Sequence, residues 1–470
     1  MVQQGQGSRL GGVIAAASIP MFMAALDNLV MTFALPVIRD DLGATLTELQ
    51  WFVNIYTLLF ATLMMPAAAL GDRVGRRRVF LAGIVIFTAA SVGAALSDSV
   101  TALILARAIQ GVGAAAIVPL SLTILSVASP PARRAMAIGI WGGVNGLGIA
   151  VGPIVGGAVL TGLHWSAIFW LNLPIGALAL ILGWRLLPES LGRPSKFDAL
   201  GIVLAAVFVL PLTWAIVEGI ERGWTATPVL AAFALSAAGL IGFLFREHYS
   251  SAAFLPLRLF QNRTFSLANL AGFLFSAGVF GAIFLLSQFL QVSMGYGALE
   301  AGLRATPWTL APMFVAPLAG LLVARIGVRT VLITGMSLQT LALLLMTLII
   351  TADVEYPLIV APMLLAGIGM GLSFAPLSTA VLTGRPDTEH GIASGVNSTL
   401  RQLGIAVGIA ICTAIFATTG EYLPGQPFVD GLQPALIVCT VILAVATLSV
   451  AVLPQRAKHL AHGSKATEWN

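Results

Sequence analysis

Ala68-Ala69-Leu70-Gly71-Asp72-Arg73-Val74-Gly75-Arg76-Arg77-Arg78-Val79 is a charged hinge between two long apolar runs. Apolar runs of this length recur through the 470 residues, which are 58% hydrophobic and 9% charged, with a mean hydropathy of +0.96. A soluble chain carries about 25% charge, so this composition is that of a polytopic membrane protein. In lipid the backbone must satisfy itself within helices or closed barrels. The runs are continuous rather than alternating, which selects helices.

A span needs roughly 20 apolar residues. That rule predicts fourteen, near 11–36, 48–70, 78–97, 101–126, 136–161, 166–187, 200–218, 227–246, 265–291, 302–324, 330–350, 356–381, 391–418 and 433–453. Of the 24 Lys and Arg residues, nineteen fall on the side of the termini, and Arg39, Arg222 and Arg304 fall on the other. Arg107 and Arg401 lie inside spans. By the positive-inside rule both termini are cytoplasmic. The net charge of +5 is thereby read as a topology signal facing lipid phosphates, and nucleic acid is not expected as a partner.

The hinge has a weaker echo: Arg73-x-Gly75-x-Arg77 recurs as Arg325-x-Gly327-x-Arg329. Two related six-helix halves follow, a plan common among transporters. The division is 1–199 for the first half, 200–246 for an inserted pair of helices, 247–454 for the second half and 455–470 for a cytoplasmic tail. The expected fold class is an all-α integral membrane protein.

Asp27 is the one carboxylate placed deep within a span, and a charge at that depth is costly enough to be functional by default. Arg107 sits at a similar depth, roughly 9 Å against roughly 13 Å from the outer face at 1.5 Å per residue. Asp27 therefore reads either as a proton carrier or as half of a static ion pair. Gln110 shares the Arg107 face. Gly148, Gly152 and Gly156 line one stripe of a helix that Pro153 can bend. Arg401, about 15 Å inside its span, has no acidic partner in the sequence. It reads equally as a helix anchor or, with Gln110, Trp141, Asn145, Gln288 and Asn397, as a candidate lining of a substrate cavity, and Glu218 is a candidate accessory acid. The histidines are expected at termini or in loops. There is no Walker loop, metal cluster or nucleophile–base pair, so no enzyme, cofactor or metal site is expected, and an ion gradient is the energy source.

The hinge from Asp72 to Arg78 resembles the loop motif of the major facilitator superfamily. Three further stretches resemble the fourteen-span drug:proton antiporters within it: Leu26-Asp27 with Ala34-Leu35-Pro36, Leu103 with Arg107, Gln110-Gly111 and Gly113-Ala114-Ala115, and Gly148 with Gly152-Pro153 and Gly156-Gly157. Leu29-Val30-Met31-Thr32, where such proteins commonly have Thr-Ile-Val-Asn, and Ala68 in place of the hinge's first Gly are departures. The resemblance implies proton coupling at Asp27 and Arg107, a conformational hinge at Asp72, Arg73, Gly75, Arg76 and Arg77, and antiport through the Gly148–Gly157 helix. It further implies efflux of hydrophobic, often cationic drugs across a bacterial inner membrane. A narrow-specificity antibiotic or metabolite exporter of the same fold, or a non-transporting membrane sensor or scaffold, are the alternatives.

Overall fold

The computed structural model describes residues 2–44, 46–192, 198–250, 255 and 257–454, with some helical side chains also outside the described set. The tail at 455–470, the side chain of Pro153 and the surroundings of Gly157 lie outside the described residues. Among the described residues every regular element is a helix. The first group comprises α1 (Val2–Leu42), α2 (Leu46–Val74), α3 (Arg76–Ala95), α4 (Val100–Ala128), α5 (Pro131–Gly162), α6 (Ala167–Trp170) and α7 (Asn172–Leu186). Next come α8 (Ala199–Arg222) and α9 (Thr227–Tyr249). The remainder are α10 (Arg263–Gln288), α11 (Ala298–Arg304), α12 (Thr306–Thr309), α13 (Ala311–Ile326), α14 (Val328–Ile349), α15 (Tyr356–Leu382), α16 (His390–Thr419) and α17 (Gln426–Ala451).

Among the described residues thirteen stretches are long and apolar enough to cross a membrane. The 32-residue α5 is a further long helix in addition to these. The span expected at 302–324 is broken into α11, α12 and α13, because Pro307 and Pro312 open the second and third pieces without a backbone N–H to continue the preceding turn. Large apolar side chains such as Leu105, Ile181, Trp184, Ile241 and Leu348 are exposed, as a lipid-facing surface requires.

The hinge echo has a shared backbone cause. Gly75 (φ 127°) joins α2 to α3 and Gly327 (φ 86°) joins α13 to α14, both in the positive-φ region that a side chain disfavours.

Helices α1 to α7 pack mainly on one another, as do α10 to α17. The two groups meet where α5 lies along α13 and α15, and where α2 and α4 lie along α16. Helices α8 and α9 pair with each other, and α8 rests on α2 and α16.

The α5–α13 crossing is built from glycine. A Cβ on Gly139 would lie 2.5 Å from the Ala316 carbonyl oxygen, and one on Gly143 2.9 Å from that of Met313. On α13, a Cβ on Gly320 would meet the Ala135 carbonyl. Because the obstacle is backbone, Gly139→Ala is expected to cost about 1–3 kcal/mol, read as a lower unfolding temperature in detergent. Gly93→Ala, on exposed α3 with nothing within 4 Å of its Cβ, is expected to gain up to ~1 kcal/mol from helix propensity.

Candidate functional site: a buried carboxylate network and an interhelical latch

Four helices of the first group converge on Asp27. Helix α1 carries Asp27, α3 Ser91, α4 Arg107 and Gln110, and α7 Asn172, all buried. One Arg107 terminal nitrogen donates to Asp27 Oδ2 at 2.5 Å and to Gln110 Oε1 at 2.9 Å. The other carboxylate oxygen accepts from Asn172 Nδ2 at 2.7 Å and from Gln110 Nε2 at 3.3 Å. Ser91 Oγ accepts from both amides, at 2.7 Å from Gln110 and 3.2 Å from Asn172, and donates to the Phe87 carbonyl.

Around this network the walls are apolar: Leu26, Val30, Phe52, Leu103 and Ala106 are buried. The guanidinium carbon of Arg107 stands 4.2 Å from the Tyr56 ring centroid and 5.4 Å from that of Phe52, a cation–π arrangement that offsets part of the desolvation. Arg107 Nε and its second terminal nitrogen have no hydrogen-bond partner. The arginine therefore holds Asp27 with one nitrogen and keeps spare donors.

The pairing of Asp27 with Arg107, left open by the sequence, is present. Gln110 is a member of this network and not an open-cavity residue. Asn172 and Ser91 escaped the sequence reading, since a neutral polar residue inside an apolar run carries no periodic mark.

At the hinge, the carboxylate of Asp72 bridges the two helix groups. Its Oδ1 accepts from Arg76 Nε at 2.7 Å, and its Oδ2 accepts from the backbone N–H of Ile392, in the first turn of α16, at 3.1 Å. An anion at a helix N-terminus is favoured by the unsatisfied N–H groups and by the helix dipole. Arg76, fully buried, also donates to the Asp387 carbonyl at 2.9 Å, and Arg134 pairs with the Asp387 carboxylate at 3.1 Å. Among the described residues, Arg76 of the Arg76–Arg78 run pairs with Asp72. Arg77 donates from its side chain to the Leu187 carbonyl, and the backbone N–H groups of Arg77 and Arg78 donate to Glu189. Arg73 is exposed at the end of α2.

The expectation for histidines fails at His390, which opens α16 and is fully buried, with Nδ1 3.1 Å from Ser126 Oγ of α4. The turn before α16 is drawn into the seam between the two groups, so a residue that reads as loop becomes interior.

Gly148, Gly152 and Gly156 are buried, and a Cβ on Gly148 would come within 3.0 Å of α1 at Ala25 and Phe22. Gly148 thus faces α1, whereas Gly139 and Gly143 of the same helix face α13. Trp141 is buried and donates to Ser121 Oγ at 3.0 Å, and Asn145 is also buried. Asn397 and Arg401 come together on α16 beside Gly272 of α10. Gln288 lies far from them, about 24 Å along α10 from Gly272 at 1.5 Å per residue. Glu218, on α8, takes the Nε of Arg222 at 2.5 Å, and α8 contributes nothing to the Asp27 network.

The Major Facilitator Superfamily model matches residues 17–409 and again 268–468. The chain belongs to the Major Facilitator Superfamily. Two bacterial relatives illustrate the likeness. The multidrug resistance protein Stp of Mycobacterium tuberculosis is 36% identical over 406 residues, covering 86% of this chain and 75% of that protein. The methylenomycin A resistance protein of Streptomyces coelicolor is 34% identical over 416 residues, covering 88% and 87%. Among solved structures, the human organic anion transporter MFSD10 superposes with a TM-score of 0.68 at 18% identity, over 94% of this chain and 99% of that one. At that identity the likeness concerns the fold: this is a multi-pass, all-helical major facilitator protein.

Proposed function

We propose that this protein is a proton-coupled efflux transporter that exports hydrophobic drugs or antibiotics, cationic ones among them, by alternating access. The buried Asp27–Arg107 pair with its converging amide donors carries the reading. An ionised carboxylate only accepts hydrogen bonds, and here every partner donates. A proton on Oδ2 sets a donor against the Arg107 N–H, so the pair must separate, and the spare nitrogens of Arg107 let it move to another acceptor. Protonation thus changes how α1 and α4 are held together, and a ligand that favours one arrangement is coupled to the proton.

Counting α5 as a span gives fourteen, with residues 1–199 and 247–454 as the rocking halves, 200–246 as an inserted pair and both termini cytoplasmic in a bacterial plasma membrane. In that orientation the Asp72–Arg76 latch holds the cytoplasmic face closed, and the stripe of Gly148, Gly152 and Gly156 lets α5 slide on α1. Glu218, paired with Arg222, is peripheral to the proton path. The names of the relatives support export, since resistance to several drugs is attached to Stp and resistance to one antibiotic to the Streptomyces protein. The latter favours a narrow-specificity exporter as the second reading.

The test is uptake of a labelled hydrophobic antibiotic into everted vesicles bearing an inside-acid gradient. Accumulation that a protonophore abolishes supports the proposal. Accumulation indifferent to the proton gradient overturns it.

A further inference from the structure

The two deep arginines of this chain are in opposite situations. Arg107 is sealed and shares its charge with Asp27. Arg401 is partly exposed at the twelfth position of the 30-residue α16, and no side chain or carbonyl among the described residues forms an ion pair or hydrogen bond with it. What holds it is Phe374 of α15, whose ring centroid is 3.6 Å from the guanidinium carbon, a stacking distance. Stacking covers the face of the guanidinium and leaves the in-plane N–H fork free. Gly272 of α10 borders the stem: a Cβ there would lie in ordinary contact, 3.6 Å from both Arg401 Cγ and Asn397 Oδ1. Asn397 Oδ1, like Asn269 Oδ1 on α10, is buried without a partner. A permanent cation facing hydrocarbon is expensive, and its neighbours α10 and α15 flank the helix that also meets α2 and α4 of the other half. A free edge turned toward the space between the halves, where α16 meets α2 and α4, would avoid that cost.

We propose that Arg401, stacked on Phe374, is an anion-binding subsite of the transport cavity, accepting the carboxylate, sulfonate or phenolate of an amphipathic aromatic acid. The proposal rests on the efflux reading and adds a substrate class to it. The fork matches the two oxygens of a carboxylate or sulfonate, and the aromatic body of such a ligand lies against apolar helix surface. The coupling has a consequence for the driving force: at one proton per cycle, exporting a monovalent anion moves two charges per turnover, whereas exporting a monovalent cation moves none. Export of the acid should accelerate with an inside-negative potential, and that of the cation should not.

Three probes of equal bulk separate the terms: 2-naphthoate, 2-naphthamide and a naphthyl trimethylammonium. Equilibrium dialysis with the purified intact protein is expected to show naphthoate bound at least tenfold tighter than naphthamide, in keeping with a hydrogen-bonded charge. Arg401→Gln should erase that preference and leave naphthamide affinity unchanged. Because Arg401 satisfies no other polar group, its loss leaves none orphaned. Arg401→Lys, keeping the charge and losing the stacked fork, should retain part of the preference. Naphthoate bound no tighter than naphthamide, or an equal preference surviving in Arg401→Gln, overturns the proposal. Dialysis needs no gradient. An intact protein that prefers naphthoate in Arg401-dependent fashion, yet moves none of the probes under a proton gradient, defeats the efflux reading and leaves the anion site standing.

Discussion

Asp27→Asn is expected to abolish proton-coupled export while sparing substrate binding. The amide cannot exchange a proton with bulk water, so gradient-driven uptake into everted vesicles should fall at least a hundredfold, to the level of vesicles lacking the protein. The substitution also removes the anion that compensates Arg107. Taking one partner from a buried ion pair costs about 3–5 kcal/mol, so the variant should be markedly less stable in detergent. Pairing Asp27→Asn with Arg107→Gln removes the stranded cation as well and should recover much of that loss without restoring coupling, which separates a chemical effect from a folding one. Normal coupling in Asp27→Asn would remove Asp27 from the proton path.

Asp72→Asn is expected to open the face at the hinge. The carboxylate has two separate duties, an ion pair with Arg76 at 2.7 Å and a cap on the Ile392 N–H at 3.1 Å, and the second reaches across the two helix groups. An amide oxygen keeps a weak cap and loses the charge. Hydrogen bonds to charged groups are worth roughly 1.5–3 kcal/mol, which shifts a two-state equilibrium on the order of tenfold to a hundredfold. Gly391→Ala should act in the same direction, because its Cβ would collide with the Asp72 carboxylate. Spin labels on Val74→Cys and Thr388→Cys, both exposed on either side of this contact, should report a longer distance in both variants, together with slower transport. An unchanged distance distribution would reduce the hinge to a lipid anchor.

Much of this site was legible beforehand because charge is rare in the chain. One deep carboxylate, one arginine at matching depth and a glutamine three residues on were conspicuous, and they are joined. The donor Asn172 and the acceptor Ser91 were not legible, being 145 and 64 residues from Asp27 in the sequence and brought in by the packing of α7 on α1 and α3. Glu189, which caps the start of α3 from 112 residues away, looked like one more loop acid. The glycine stripe of α5 that faces α13 has regular spacing, but among 49 glycines spacing alone does not say which neighbour a stripe meets. For Arg401 the sequence showed the missing partner, and Phe374 emerged only when α15 and α16 were side by side.

If Asp27 carries the proton that substrate displaces, its carboxyl must lose that proton when substrate binds. Infrared difference spectroscopy of the purified protein, with and without substrate, reads this directly through the carbonyl stretch of a protonated carboxyl group. Substrate binding is expected to erase such a band in the intact protein, and Asp27→Asn to lack the change. A substrate-induced band that persists in Asp27→Asn, or none in the intact protein, would contradict it.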